Sequence, residues 1–267
     1  MSLEKEYIKP GSPCERWPGI CPCVAFTALI LLWDLITRFS GVSPRVFPGP
    51  IPVLLSLYEL AANGTLLCHT VASLYRITIG FYLAVLTGIP LGIILGRNHT
   101  CNTLFNPVIQ FLKPISPIAW IPLAMLWFGI GDKPAIFLIF LSSFFPLVVS
   151  TTITVSSINP VYFQVAANFN FSRWEVLTKI IIPAITPATI TAFRISLSIA
   201  WLVVVAAEMI AVRSGLGYLI LDSRNALRMD YVMAGMIVIG AIGLLLDYIM
   251  RRMGQIDSTN WYHFGDH

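Results

Sequence analysis

The sequence predicts an all-α membrane protein with about six transmembrane helices, and three observations carry that prediction. Of its 267 residues 57% are hydrophobic and 11% are charged, whereas soluble domains carry about 25% charged residues. The apolar residues fall in stretches of roughly 20, the length a helix needs to cross a bilayer. No stretch between them reads as a second, soluble domain.

Taken in order, the first candidate span is Ile20 to Phe39. No small-residue cleavage site follows it, so it is expected to remain as an anchor. Ser43 to Pro52 holds four prolines, which fix φ and remove donors, so it cannot be helical. Val53 to Ala62 reads as a short amphipathic surface helix. The second span is about Val71 to Gly96, with Gly80, Gly88, Gly92 and Gly96 spaced by four and eight. Small residues at that spacing admit a closely approaching helix.

The third span is about Leu104 to Gly129, interrupted by Pro107, Pro114, Pro117 and Pro122. The prolines leave carbonyls without partners, so this helix must bend or break. Irregular backbone at membrane depth is tolerated inside protein or beside a water-filled cavity. Ser116 and Trp120 are therefore candidate pathway residues. Ala135 to Val155, Ala184 to Val212 and Val232 to Met250 complete the six. An even number of spans puts both termini on one side. The positive-inside bias, with Arg97, Arg173, Lys179, Arg251 and Arg252 on the side of the termini, favours the cytoplasm.

Net charge is +4. That suits loops facing anionic lipid, and without a basic run or aromatic–basic patch it gives no reason to expect nucleic acid. Cys14, Cys21, Cys23, Cys68 and Cys101 show no common zinc spacing. They read as free thiols, and no metal site is expected. His69, His99, His263 and His267 read as loop or tail residues. Charges within spans are expensive and face a partner or a cavity. Arg194 and Glu208 lie fourteen positions apart on one predicted helix, close to four turns and so roughly one face. Either they line an anion pathway or each pairs with a neighbouring span. Arg76, near a span end, is expected to reach the interface. Asp34 and Asp247, also near ends, are expected to be solvated.

The segment Val165 to Pro183 is polar and amphipathic between very apolar flanks. Its spacing predicts two short helices joined by a kink at Asn170-Phe171-Ser172. Such a helix can lie in a groove of a partner. Here the chain resembles the permease subunits of ABC importers, of type I (MetI-like) architecture. Their cytoplasmic loop reads Glu-Ala-Ala, three residues, glycine, about nine residues, then an apolar run closed by proline. Ala166-Ala167, Arg173-Trp174 and Ile180 to Pro183 stand in register with it. Val165 replaces the usual glutamate, and Asn170 stands in for the glycine because asparagine tolerates positive φ.

Further stretches resemble the nitrate/sulfonate/taurine/bicarbonate branch. They include Ser73 to Arg76 with Gly80-Phe81, Pro114 to Pro122, Leu126 to Asp132, Ala192 to Arg194, Ala206 to Glu208 and Gly215 to Tyr218.

The resemblance implies a single transmembrane permease domain over 20–252 with a coupling loop at about 159–183. It implies cytoplasmic tails at 1–19 and 253–267 and an inner-membrane location. Val165, Ala166, Ala167, Asn170, Phe171, Arg173, Trp174 and Pro183 would form the coupling loop. Ser116, Trp120, Arg194 and Glu208 are the candidate translocation residues. The implied partners are a second copy, two cytoplasmic ATPase subunits, an external solute-binding protein and the lipid bilayer. ATP and magnesium would sit on the ATPases, and no cofactor on this chain, which carries no catalytic residue and no Walker A spacing. The cargo would be a small oxyanion, a sulfonate such as taurine first, nitrate or bicarbonate next. An ion-coupled secondary transporter is the competing reading, since broken helices and intramembrane charges also suit it.

Overall fold

The computed structural model describes residues 20–257 except 40 and 42. The tails at 1–19 and 258–267, with Cys14, His263 and His267, lie outside the described residues. Among those described, every regular element is helical. Among the described residues four helical stretches are long and apolar enough to cross a bilayer, Thr65–Arg97, Asp132–Ser156, Arg173–Ala211 and Met229–Arg252, and a bent pair of helices would make a fifth.

Helix α1 (Ile20–Phe39) has the bounds the sequence predicts. Its C-terminal turn lies beside the start of α2 (Pro50–Ala62), where a Cβ on Gly49 would sit 3.3 Å from the Thr37 hydroxyl. Asp34 is not simply solvated, because Arg38 one turn on pairs with it at 2.8 Å. α2 buries Val53, Ser56 and Leu60 and leaves Leu54, Leu55 and Tyr58 exposed. Its Ser56 hydroxyl donates to Asp230 at 2.7 Å.

α3 (Thr65–Arg97) and α6 (Asp132–Ser156) form the centre of the bundle. A Cβ at Gly80, Gly92 or Gly96 would stand 2.6 Å from a side-chain carbon of Ile139, Thr151 or Val155 respectively. The glycine spacing thus has the close neighbour it predicts. Because the pairs advance together along both helices, α3 and α6 run parallel. The chain must therefore return between them, from the Arg97 end to the Asp132 end.

In that return lies the expected third span, interrupted as its prolines predict. α4 (His99–Leu112) is followed by a bend of 86°, a 3-10 turn (Pro117–Trp120) and α5 (Ile121–Phe128). The bend falls at Lys113 to Ser116, where Pro114 and Pro117 cannot donate to the preceding turn. α4 packs Ile109 on Leu95 and Val148 at one end of the bundle. α5 packs Ile121 and Ala124 on Ala135, Ala207 and Ala211 at the other.

α9 (Ile182–Ala211) runs antiparallel to this pair, with Ile185 beside Val155 and Ala211 beside Ala135. α10 (Leu216–Asn225) is a short helix at the far end. α11 (Met229–Asp257) returns along α9, where the Trp201 indole donates to the Ile239 carbonyl at 3.1 Å. The C-terminal end of α11 and the segment before α9 therefore occupy the same end of the bundle.

Candidate functional site: an exposed helical segment and a buried charge network

Residues 157–181 join α6 to α9 as two short helices. α7 (Pro160–Asn168) starts on an Asn159 cap whose side chain accepts from the Val161 amide at 3.0 Å, with proline in the first turn. The chain then reverses through Asn170, whose φ is +54°, the left-handed conformation that asparagine tolerates best among non-glycine residues. α8 (Arg173–Val176) opens on a capping box. The Glu175 amide donates to the Ser172 hydroxyl at 3.2 Å, and the Glu175 carboxylate accepts from the Ser172 amide at 2.9 Å. A π turn (Leu177–Ile181) leads into α9, where Pro183 occupies the first turn and needs no donor.

This segment is held from within by few residues. Ala166 and Ile181 are buried, and Phe171 is half-buried beneath the Lys179 ammonium, 4.9 Å from its ring. Val165, Ala167, Asn170, Arg173 and Pro183 are exposed, and so are the large apolar side chains Phe169 (72% exposed) and Trp174 (71% exposed). Beside it a cleft of about 480 Å³ is bounded by Gly96, Arg97, Ser156, Phe163, Gln164 and Ala167. The Arg97 guanidinium lies 4.0 Å over the Phe163 ring and so ties α7 to the end of α3.

At the opposite end one pair of charges is enclosed. Arg76 is 2% exposed and Glu208 is fully buried. One guanidinium nitrogen of Arg76 donates to Glu208 at 2.6 Å and to the Ser214 carbonyl at 2.9 Å; another meets the Ser214 hydroxyl. Its Nε donates to Asp132 at 2.8 Å. The other Glu208 oxygen accepts from the Ser73 hydroxyl at 2.8 Å and the Gly217 amide at 3.0 Å. Ser73 accepts in turn from the Leu216 amide at 2.9 Å, and His69 Nδ1 accepts from the Gly215 amide at 3.0 Å. Gly215 is required here: its φ is +103°, and a Cβ would fall within the Glu208 carboxylate. The network ties α3, the start of α6, the end of α9 and the turn into α10 together.

Residues 88–256 match the family described as the binding-protein-dependent transport system inner membrane component. The chain belongs to this family. The permease is 36% identical over 256 residues to the taurine transport system permease protein TauC of Escherichia coli, an overlap covering 92% of this chain and 93% of that one. It is 32% identical over 237 residues to the nitrate import permease protein NrtB of Synechocystis, covering 85% of each chain. Among solved structures, an inward-facing form of the MetNI methionine ABC transporter superposes with a TM-score of 0.64 at 14% identity, over 74% of this chain and 98% of that one. That likeness establishes the fold, an all-α MetI-like membrane architecture.

In the permease, Arg194 and Glu208 do not act on one neighbour, although they share a helix. α9 meets α11 near Arg194 and α3 near Glu208, so each charge finds a different partner. Arg194 Nε donates to Asp247 at 2.6 Å, and Arg251 pairs with the same carboxylate at 2.9 Å. Asp247, expected to be solvated, is bound by two arginines. Arg76, expected at the interface, is turned inward because Glu208 stands opposite. His69, expected in a loop, lies within α3. Ser116 is exposed on the bend before the 3-10 turn, and Trp120 is half-buried against the Ile121 cluster.

The partnership of Arg76 with Glu208 was missed in the sequence. The available signal was two opposite charges embedded in apolar spans.

Proposed function

We propose that the permease is the membrane subunit of an ATP-driven importer for a small oxyanion, acting as a homodimer by alternating access. The observation that carries this reading is the α7–α8 segment. It presents Val165, Phe169 and Trp174 to solvent beside a cleft edged by Ala167, at one end of the bundle. Exposed apolar side chains rimmed by polar ones mark a protein contact. Val165, where the family usually carries glutamate, offers an apolar contact in its place.

A pair of cytoplasmic ATPase subunits would dock here, with ATP and magnesium bound on them. Their closure would draw the two copies of the segment together and rock the helices. On this reading the Pro160–Pro183 end and both termini face the cytoplasm, and an external solute-binding protein delivers cargo to the other face. The bent passage from Ser116 to Trp120 is the part of the path with irregular backbone. A sulfonate such as taurine is the first choice of cargo, because the taurine permease is the more similar of the two relatives described above. Nitrate or bicarbonate comes next.

Affinity purification of the tagged permease in mild detergent tests the assignment. A co-purifying Walker-type ATPase is expected; a chain recovered alone even from cross-linked membranes overturns the reading. With the ATPase in hand, Ala167→Glu should leave membrane levels unchanged and uncouple ATP hydrolysis from uptake, and normal uptake would refute docking at the cleft. Uptake of labelled taurine set against nitrate ranks the cargo.

A further inference from the structure

At the same end of the bundle as α7 and α8, the faces of α9 and α11 leave a groove of about 230 Å³. Its floor is apolar, formed by Leu197, Trp201, Leu202 and Leu246. The Trp201 ring is fixed there by its hydrogen bond to the Ile239 carbonyl and by Gly243, where a Cβ would stand 3.1 Å from the indole nitrogen. Its rim is cationic. Arg194 and Arg251 both bind Asp247, so two positive charges share one negative charge. Their side chains remain 41% and 60% exposed. One residue on, Arg252 donates to the Tyr248 hydroxyl at 3.1 Å and adds a positive charge on the adjoining face of α11. Asp247, Arg251 and Arg252 are the charges that close the apolar run of α11, about one turn apart along the helix. The end of such a run is where lipid headgroups meet acyl chains, and arginine and tyrosine are favoured there.

We propose that this groove is a binding site for an anionic phospholipid. The phosphate would engage the free guanidinium edges of Arg194 and Arg251 with Arg252 nearby, and one acyl chain would lie along Leu197, Trp201 and Leu202. Charge complementarity selects the headgroup, since the excess positive charge has no further acidic partner among the described residues of α9 and α11 around it. The apolar floor selects a lipid over a soluble phosphate. Binding would clamp α11 to α9 beside the segment that leads into α9. The site depends on the membrane boundary alone and stands whatever the cargo is.

The full permease, reconstituted in nanodiscs of equal phosphatidylglycerol and phosphatidylcholine and then gently delipidated, would be analysed for retained lipid by native mass spectrometry. Preferential retention of phosphatidylglycerol is expected. Arg251→Gln should reduce that preference about fivefold and Arg252→Gln by a similar factor, from the usual contribution of a basic residue at an anionic surface. Arg251→Lys should keep most of it. Both positions are exposed, so folding is not at stake. Inorganic phosphate at matched concentration should not displace the lipid. Equal retention of the two lipids, an unchanged preference in Arg251→Gln/Arg252→Gln, or displacement by inorganic phosphate would overturn the site. So would a spontaneous Ser198→Cys cross-link between two copies, which would show a second permease filling the groove.

Discussion

The buried charge network at one end of this bundle and the helical segment at the other treat their polar and apolar groups in opposite ways. At the Asp132 end, the Arg76 and Glu208 side chains are removed from solvent and bound by Ser73, Asp132, Ser214 and Gly217. At the Pro160 end, Phe169 and Trp174 stand in solvent with most of their surface uncovered. A saturated network ends a structure, because nothing remains for another molecule to satisfy. An unsaturated apolar surface leaves an interface open. The contrast separates the residues that hold the helices together from those that would meet a partner on the proposed function, and substitutions at the two ends should therefore fail in different assays.

The largest effect is expected at the enclosed end. Arg76→Ala strands the Glu208 carboxylate in the bundle and should cost about 3–5 kcal/mol, read as a large loss of thermal stability in detergent. Arg76→Met/Glu208→Met, which removes both charges, should recover most of that loss; a double variant as unstable as the single would mean that the pair does more than satisfy itself. Second in size is Gly92→Ala, whose new methyl meets Thr151 at 2.6 Å and should cost roughly 1–3 kcal/mol through forced separation of α3 and α6. An unchanged melting temperature there would contradict the close parallel pairing.

Smaller again is Ser172→Ala, which removes the cap of α8 and should cost about 1 kcal/mol. Its effect should appear as faster proteolysis within 165–176 before any global unfolding. The smallest stability change, within about 0.5 kcal/mol, is expected from Trp174→Ala. Uptake in that variant should nevertheless fall sharply if the segment meets an ATPase. Full uptake with Trp174 removed would erase the distinction between the two ends.

Much of the fold was legible because it follows from local chemistry. The helix at Ile20 to Phe39, the helix near Val53 to Ala62 and the break among Pro114, Pro117 and Pro122 come from apolar length and from missing donors. The glycine series required a close neighbour, and Asn170 a reversal of the chain. Less legible was the size of that break, a turn of 86°, since prolines say where a helix fails and not in which direction the chain continues.

The sequence alone determined that this protein lives in a membrane, roughly where its long helices lie, and that an amphipathic segment interrupts them before α9. Those properties depend on neighbours in the chain. Only the tertiary structure decided that Arg76 answers Glu208, that Arg194 answers Asp247, and that α3 and α6 run parallel. Their partners lie 132, 53 and about 60 positions away. Along one helix the facing neighbour changes from α11 to α3 within fourteen residues, so two charges on the same face receive different partners. Periodicity fixes which way a side chain points, and only the packing of the bundle fixes what it points at.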